Sequence, residues 1–297
     1  MKTGRQRSLW VALVAIAFFI LAENMRQLVF LFPSFRAFYR AHPWQVGETV
    51  WKSLWILTAL IGVMLAHRLG GGGGFRELGL ARWPGKALAA ALVATLPMLL
   101  VFATLLPVNP SLAVLPVWMT AVASPLSEEV LFRGYLFRQL YQRAQWPFWA
   151  AALMNVVPFT WGHLYQAGRS GLGGWGFVLV VLIMGSGAAI FAWLLVRWEY
   201  NLWFNIGLHS GMNLWWYVFA VDDSAFGGLK ANIARLLTLA LAVFITLRHG
   251  RYRATIPPAQ QQLQEANKNL EYQLLPDIRD GKMDTAAHQF RGGRKRS

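Results

Sequence analysis

Apolar residues in this chain come in long blocks, with polar residues gathered between them. No stretch alternates with the period of two that half-buried strands require. The blocks match the roughly 20 residues that a helix needs to cross a bilayer. They predict spans at about 9–32, 46–66, 87–106, 112–142, 147–164, 176–196, 201–220 and 229–247. The reading is an all-α, polytopic transmembrane helical bundle of about eight spans. Glu23 and Asn24 interrupt the first span. Its basic lead (Lys2, Arg5, Arg7) could belong to a signal peptide, but no small-x-small cleavage site follows, so an uncleaved span is expected. The run Gly70–Gly74 lacks a following Gly-Lys-Ser/Thr and reads as a flexible linker, not a phosphate cradle. Residues 250–297 are polar and basic and read as a mobile tail with one short helix near 259–275.

Composition agrees with this pattern. Of 297 residues, 56% are hydrophobic and only 14% charged, below the share usual for a soluble domain. There are no cysteines, which excludes disulfides and thiolate chemistry. The net charge of +15 invites a nucleic-acid reading, but the Lys and Arg residues sit at the ends of apolar blocks and in the tail, so no nucleic-acid partner is expected. With the N-terminus inside, the inside segments hold Arg68, Arg76, Arg82, Lys86, Arg138, Arg143, Arg197 and the tail. The outside loops hold Arg36, Arg40, Arg169 and Lys230. This asymmetry predicts both termini in the cytoplasm.

Three polar clusters remain inside predicted spans: Glu128-Glu129-x-x-x-Arg133, Phe159-x-x-x-His163 and His209-x-x-x-Asn213. Ionisable groups in hydrocarbon are costly and are usually functional. Residues four apart share a helical face, so Glu129 and Arg133 can neutralise one another. Glu128 is turned about 100° away and is left as an extra carboxylate, either protonated or bonded to His163 or His209. Counted from a hairpin turn near residue 145, Glu128 and His163 lie at equal depth. His209 matches only if span seven sits deeper or tilts. Gly207-x-x-x-Gly211 brackets His209 and would admit a close neighbouring helix. Ser124-Pro125 suggests a kink or restart just before the glutamates.

One carboxylate, two imidazoles and an amide suit activation of water. Glu128 would be the general base, His163 would hold the water, and His209 and Asn213 would donate to a developing oxyanion. The same groups (Glu128, His163, His209) also make a zinc ligand set, although no His-Glu-x-x-His signature is present. A proton relay is a third use, and haem or metal ligation by His163 and His209 a fourth.

The three motifs, in this order over three spans, resemble those of the CAAX-protease and bacteriocin-processing (CPBP/Abi) family of intramembrane endopeptidases. The resemblance covers roughly residues 111–221. It implies a catalytic helical core there, preceded by N-terminal transmembrane helices (1–110) and followed by a final transmembrane helix (222–249) and the tail (250–297). It implies that Glu128 activates water with help from His163, that His209 and Asn213 form the oxyanion site, and that Glu129 and Arg133 support them, with Phe159 beside them. It favours no metal or other cofactor, with zinc the alternative. The partners it implies are the lipid bilayer and a peptide or protein substrate, a prenylated C-terminus being one option. The setting it suggests is a bacterial inner membrane. A non-catalytic immunity or scaffold protein that retains the motif is the competing reading.

Overall fold

The computed structural model describes residues 4–169, 173–222 and 226–254. The chain divides into two units, Met1–Thr246 and Leu247–Ser297. All but the start of the predicted tail lies outside the described residues. Of the second unit, only the end of the last helix lies within the described residues.

The fold is an all-helical transmembrane bundle. In chain order its helices are α1 (Gly4–Glu23), α2 (Met25–Phe30), α3 (Pro33–Ala41), α4 (Trp44–His67), α5 (Gly71–Glu77), α6 (Gly85–Leu105), α7 (114–143), α8 (Phe148–His163), α9 (Tyr165–Arg169), α10 (Gly174–Arg197), α11 (Leu202–Val218) and α12 (Gly228–Ala254). Among the described residues, α1, α4, α6, α10 and α12 carry windows long and apolar enough to cross a bilayer. The other three predicted spans are also helical. However, α8 and α11 have 16 and 17 residues, somewhat short of the usual requirement. α7 is long enough but holds Glu128, Glu129, Arg133, Arg138 and Arg143. These three are the helices that carry the motifs.

Two expectations need correction. The first apolar block is not one span to residue 32. α1 ends at Glu23, Asn24 caps it by donating its amide to Ile20 O (2.8 Å), and Pro33 starts α3 after an extended Phe32. Pro at the first helical position has no N–H to leave unsatisfied, which favours a new start there. Arg36 and Arg40 therefore lie on a short helix rather than in an open loop. The glycine run is also not an open linker. Gly71–Glu77 is helical, and Gly74 is buried where an added Cβ would meet Leu60 of α4. Close packing on α4 offsets the entropy that glycines lose in a helix.

The core centres on α7. Phe132 receives three aromatic edges, from Phe19 of α1 (5.4 Å between centroids), Trp55 of α4 (6.0 Å) and Phe159 of α8 (5.2 Å). Such T-shaped pairs add about 0.5–1.5 kcal/mol each beyond the area they bury. The turn after Arg143 brings α8 back antiparallel, and Phe137 meets Phe148 while Phe132 meets Phe159, which is the hairpin register read from the sequence. A second cluster joins Ala87, Ala91 and Ala94 of α6 to Phe191 and Leu194 of α10 and to Phe204 and Leu208 of α11. Gly207 and Gly211 make that approach possible, since a Cβ on Gly207 would lie 2.9 Å from Ala91 and one on Gly211 2.8 Å from Thr95. Leu13, Ile20, Leu57, Leu65, Leu100, Leu182 and Leu236 remain exposed, as lipid-facing residues should.

α7 is not a regular α-helix. Met119–Ala123, Glu129–Phe137 and Gln139–Arg143 are π-helical, with Ser124–Glu128 α-helical between them. Pro125 has no N–H and its ring crowds the preceding turn, which explains the widening over 119–123. The kink signal at Ser124-Pro125 thus appears as a wide turn without a break.

Candidate functional site

The site forms where α7 meets α4, α8 and α11. It is built around two glutamates in consecutive positions with different surroundings.

Glu129 points into the sealed side and is fully buried. Arg133, one turn on, donates to its Oε1 (3.2 Å). His209 of α11 brings Nδ1 to the same oxygen (2.8 Å), and the Asn205 amide reaches Oε2 (3.4 Å) while also donating to Phe191 O (2.9 Å). The Arg133 guanidinium lies over the Phe159 ring at 4.3 Å and near Phe191 at 5.6 Å. A charge this deep is tolerated only when paired and packed on every side, and here both conditions hold.

Glu128 points to the more open side, with 13% of its side chain exposed. It does not wait for a histidine, as the sequence suggested. Its Oε1 accepts from Lys52 Nζ of α4 at 2.9 Å, while Oε2 lies 3.9 Å from His209 Nε2. His209 therefore spans the two carboxylates, with one ring nitrogen toward each. Lys52 also sits by two indole rings, 4.8 Å from Trp55 and 5.4 Å from Trp51. Cation–π attraction of this kind helps hold an ammonium away from water.

His163 ends α8 within electrostatic reach of Glu128, His209 and Lys52. Its Nδ1 lies 2.7 Å from Phe159 O, one turn back. A carbonyl oxygen only accepts, so Nδ1 is the donor, and in the neutral ring Nε2 is left with a lone pair. The ring also packs on Phe159, with centroids 4.6 Å apart. Asn213, one turn beyond His209, donates to Thr120 O of α7 (3.2 Å) and so faces the wide turn before the glutamates.

The depth of His209, a loose match by counting, is explained by where α11 begins. Glu199 and Tyr200 adopt positive φ, and Asn201 accepts from Trp203 N (3.2 Å) to cap the helix. Leu202 then packs on Gly134, where an added Cβ would lie 2.9 Å from the Leu202 methyl. α11 thus starts level with Gly134, five residues from Glu129. Seven residues of helix, about 10 Å, carry His209 to the carboxylates.

Lys52, Asn205 and Glu23 were absent from the motif reading. Glu23 lies within electrostatic reach of Lys52 and Glu128, and its Oε1 is buried with no hydrogen-bond partner among the described residues. The available signal was a lysine amid Trp51 and Trp55 in an otherwise apolar span, and a glutamate at the end of another.

Among the described residues no three His, Cys, Asp or Glu side chains are arranged to hold a metal ion. Of the zinc set, Glu128 is tied to an ammonium and His209 has its Nδ1 on Glu129. The Lys52 charge would also repel a dication. The residues as arranged do not fit zinc.

Residues 109–215 match the family model for type II CAAX prenyl endopeptidase Rce1-like proteins. The match spans α7, α8, α10 and nearly all of α11, and with them all three motifs. No curated protein and no solved structure was found to match the chain.

Proposed function

Because residues 109–215 are Rce1-like in sequence, we propose that this protein is an intramembrane endopeptidase that cleaves a peptide bond with water activated by Glu128. The observation that carries the reading is the convergence of three helices on one carboxylate. Glu128 from α7 has His209 of α11 at 3.9 Å and His163 of α8 within electrostatic reach.

The chemistry follows from the tautomers. His163 Nε2 accepts one hydrogen of a water molecule and holds it in place. Glu128 removes the other proton as the oxygen attacks the scissile carbonyl carbon, giving a tetrahedral oxyanion. His209, held at Nδ1 by Glu129, turns its Nε2 edge toward the developing oxyanion and supports it there. Asn213 uses one amide N–H on Thr120 and has a second to offer. The C–N bond then breaks, and the proton on Glu128 passes to the leaving amine. Glu129, Arg133 and Phe159 hold His209 and the turn of α7 in position.

An apolar cavity of about 450 Å³ adjoins this turn, lined by Ile56, Leu80, Leu126, Val130 and Trp203 among others. None of the candidate site residues lines it, and Leu126 and Val130, each two positions from Glu128, lie on another face of α7. A peptide with a prenylated C-terminus is the proposed substrate class, from the Rce1-like match. The Lys/Arg asymmetry supports an orientation with both termini cytoplasmic. The test compares C-terminal peptides released in membranes carrying wild type or Glu128→Gln, identified by mass spectrometry. Peptides present only with wild type are expected, and the same peptides from Glu128→Gln would sink the assignment.

A further inference from the structure

We propose that Lys52 is a positioning residue of this site, fixing Glu128 as a carboxylate and choosing which of its two oxygens meets the water. The inference rests on the peptidase reading and adds a residue from α4, outside the matched segment 109–215.

Charge comes first. Arg133 answers Glu129, which also holds His209 Nδ1 and the neutral Asn205 amide, so neither Arg133 nor His209 is left for Glu128 alone. A carboxyl in apolar surroundings without a cation would be neutral, and a neutral acid cannot take a proton from water. The Lys52 ammonium at 2.9 Å keeps it charged. Geometry comes second. Lys52 binds Oε1 alone, which turns Oε2 toward His209 Nε2 and leaves that oxygen for water. Lys52 is itself held, 8% exposed, by the rings of Trp51 and Trp55. The groups that face Glu128 are then Lys52 from α4, His209 from α11, His163 from α8, and Glu129 and Arg133 on its own helix. Glu23 from α1 lies within electrostatic reach of both Lys52 and Glu128.

The side chains of Lys52 and Glu128 are 10% and 13% exposed, against 2% and 0% for Arg133 and Glu129.

The full-length protein in lipid vesicles, offered a farnesylated CAAX-terminated peptide, tests the idea. Lys52→Met is expected to lower kcat by about 100-fold with KM changed less than about 3-fold, the pattern of a displaced catalytic group. Lys52→Arg, which keeps the charge, should return kcat to within about 10-fold of wild type. Wild-type kcat in Lys52→Met, or no recovery in Lys52→Arg, overturns the proposal. A thermal double-mutant cycle of Lys52→Met with Glu128→Gln measures the pair without any substrate. The double variant should lose less Tm than the two single losses added, and strict additivity overturns the pair. If wild type cleaves nothing, the peptidase reading with this substrate fails, and the thermal cycle alone decides whether Lys52 and Glu128 are coupled.

Discussion

Glu128 and Glu129 are adjacent in sequence and chemically alike, yet they occupy opposite regions of the bundle. Around Glu129 every polar partner is internal: Arg133, His209 and Asn205 converge on it, and Phe159 and Phe191 cover the guanidinium. Around Glu128 the partners stand at an edge, with Lys52 on one oxygen and the second oxygen facing His209 across 3.9 Å. The comparison teaches that a repeated residue can divide its labour when one turn of helix borders both a fully sealed core and a less enclosed edge. The sealed half sets geometry, and the open half is free to react.

The strongest way to break this division is Arg133→Met. It strands Glu129 in the core, and removing one partner of a buried pair typically costs about 3–5 kcal/mol. Thermal unfolding in detergent should show a large fall in Tm, and an unchanged Tm would mean the sealed half is not what holds the turn. Glu128→Gln should lower kcat by about 10³-fold, while the Tm it loses by breaking the less buried pair with Lys52 stays smaller than that of Arg133→Met. A Tm loss as large as that of Arg133→Met would erase the distinction between the two halves. Gly211→Leu drives a side chain into Thr95 of α6 and should destabilise by about 1–3 kcal/mol through overpacking. Activity measured on the surviving folded fraction would then report whether the seating of α11 sets His209. Phe159→Leu keeps the volume roughly but removes the ring over Arg133. A loss of about 1 kcal/mol is expected from thermal unfolding.

Much of the architecture was legible because it is written locally. Apolar blocks gave the helices, and the turn near residue 145 gave the register of α7 against α8. The self-pairing of Glu129 with Arg133 followed from helical spacing alone. What escaped was long-range or a matter of context. Lys52 and Glu128 are 76 positions apart, so no spacing rule links them. Gly71–Glu77 is helical because α4 offers it a surface, which glycine content cannot reveal. The end of α1 was legible in the interruption at Glu23 and Asn24, but the short helix Met25–Phe30 that follows was read as the rest of one span. Charge counting isolated Glu128 as the odd carboxylate and stopped there, since the cation that answers it sits in another helix.

The π-helical turns of α7 bear on how this segment tolerates change in length. A wide turn holds one residue more than an α-turn, so each behaves like an inserted residue absorbed without breaking the rod. Losing one residue between Met119 and Ala123 would let that turn tighten to α-helical while the residues on either side keep their facing. The same loss in the α-helical stretch Ser124–Glu128, which has no surplus residue, would turn one side of the rod against the other by about 100°. A single deletion is therefore expected to be tolerated in the wide turn and to dismantle both halves of the site when placed just after it.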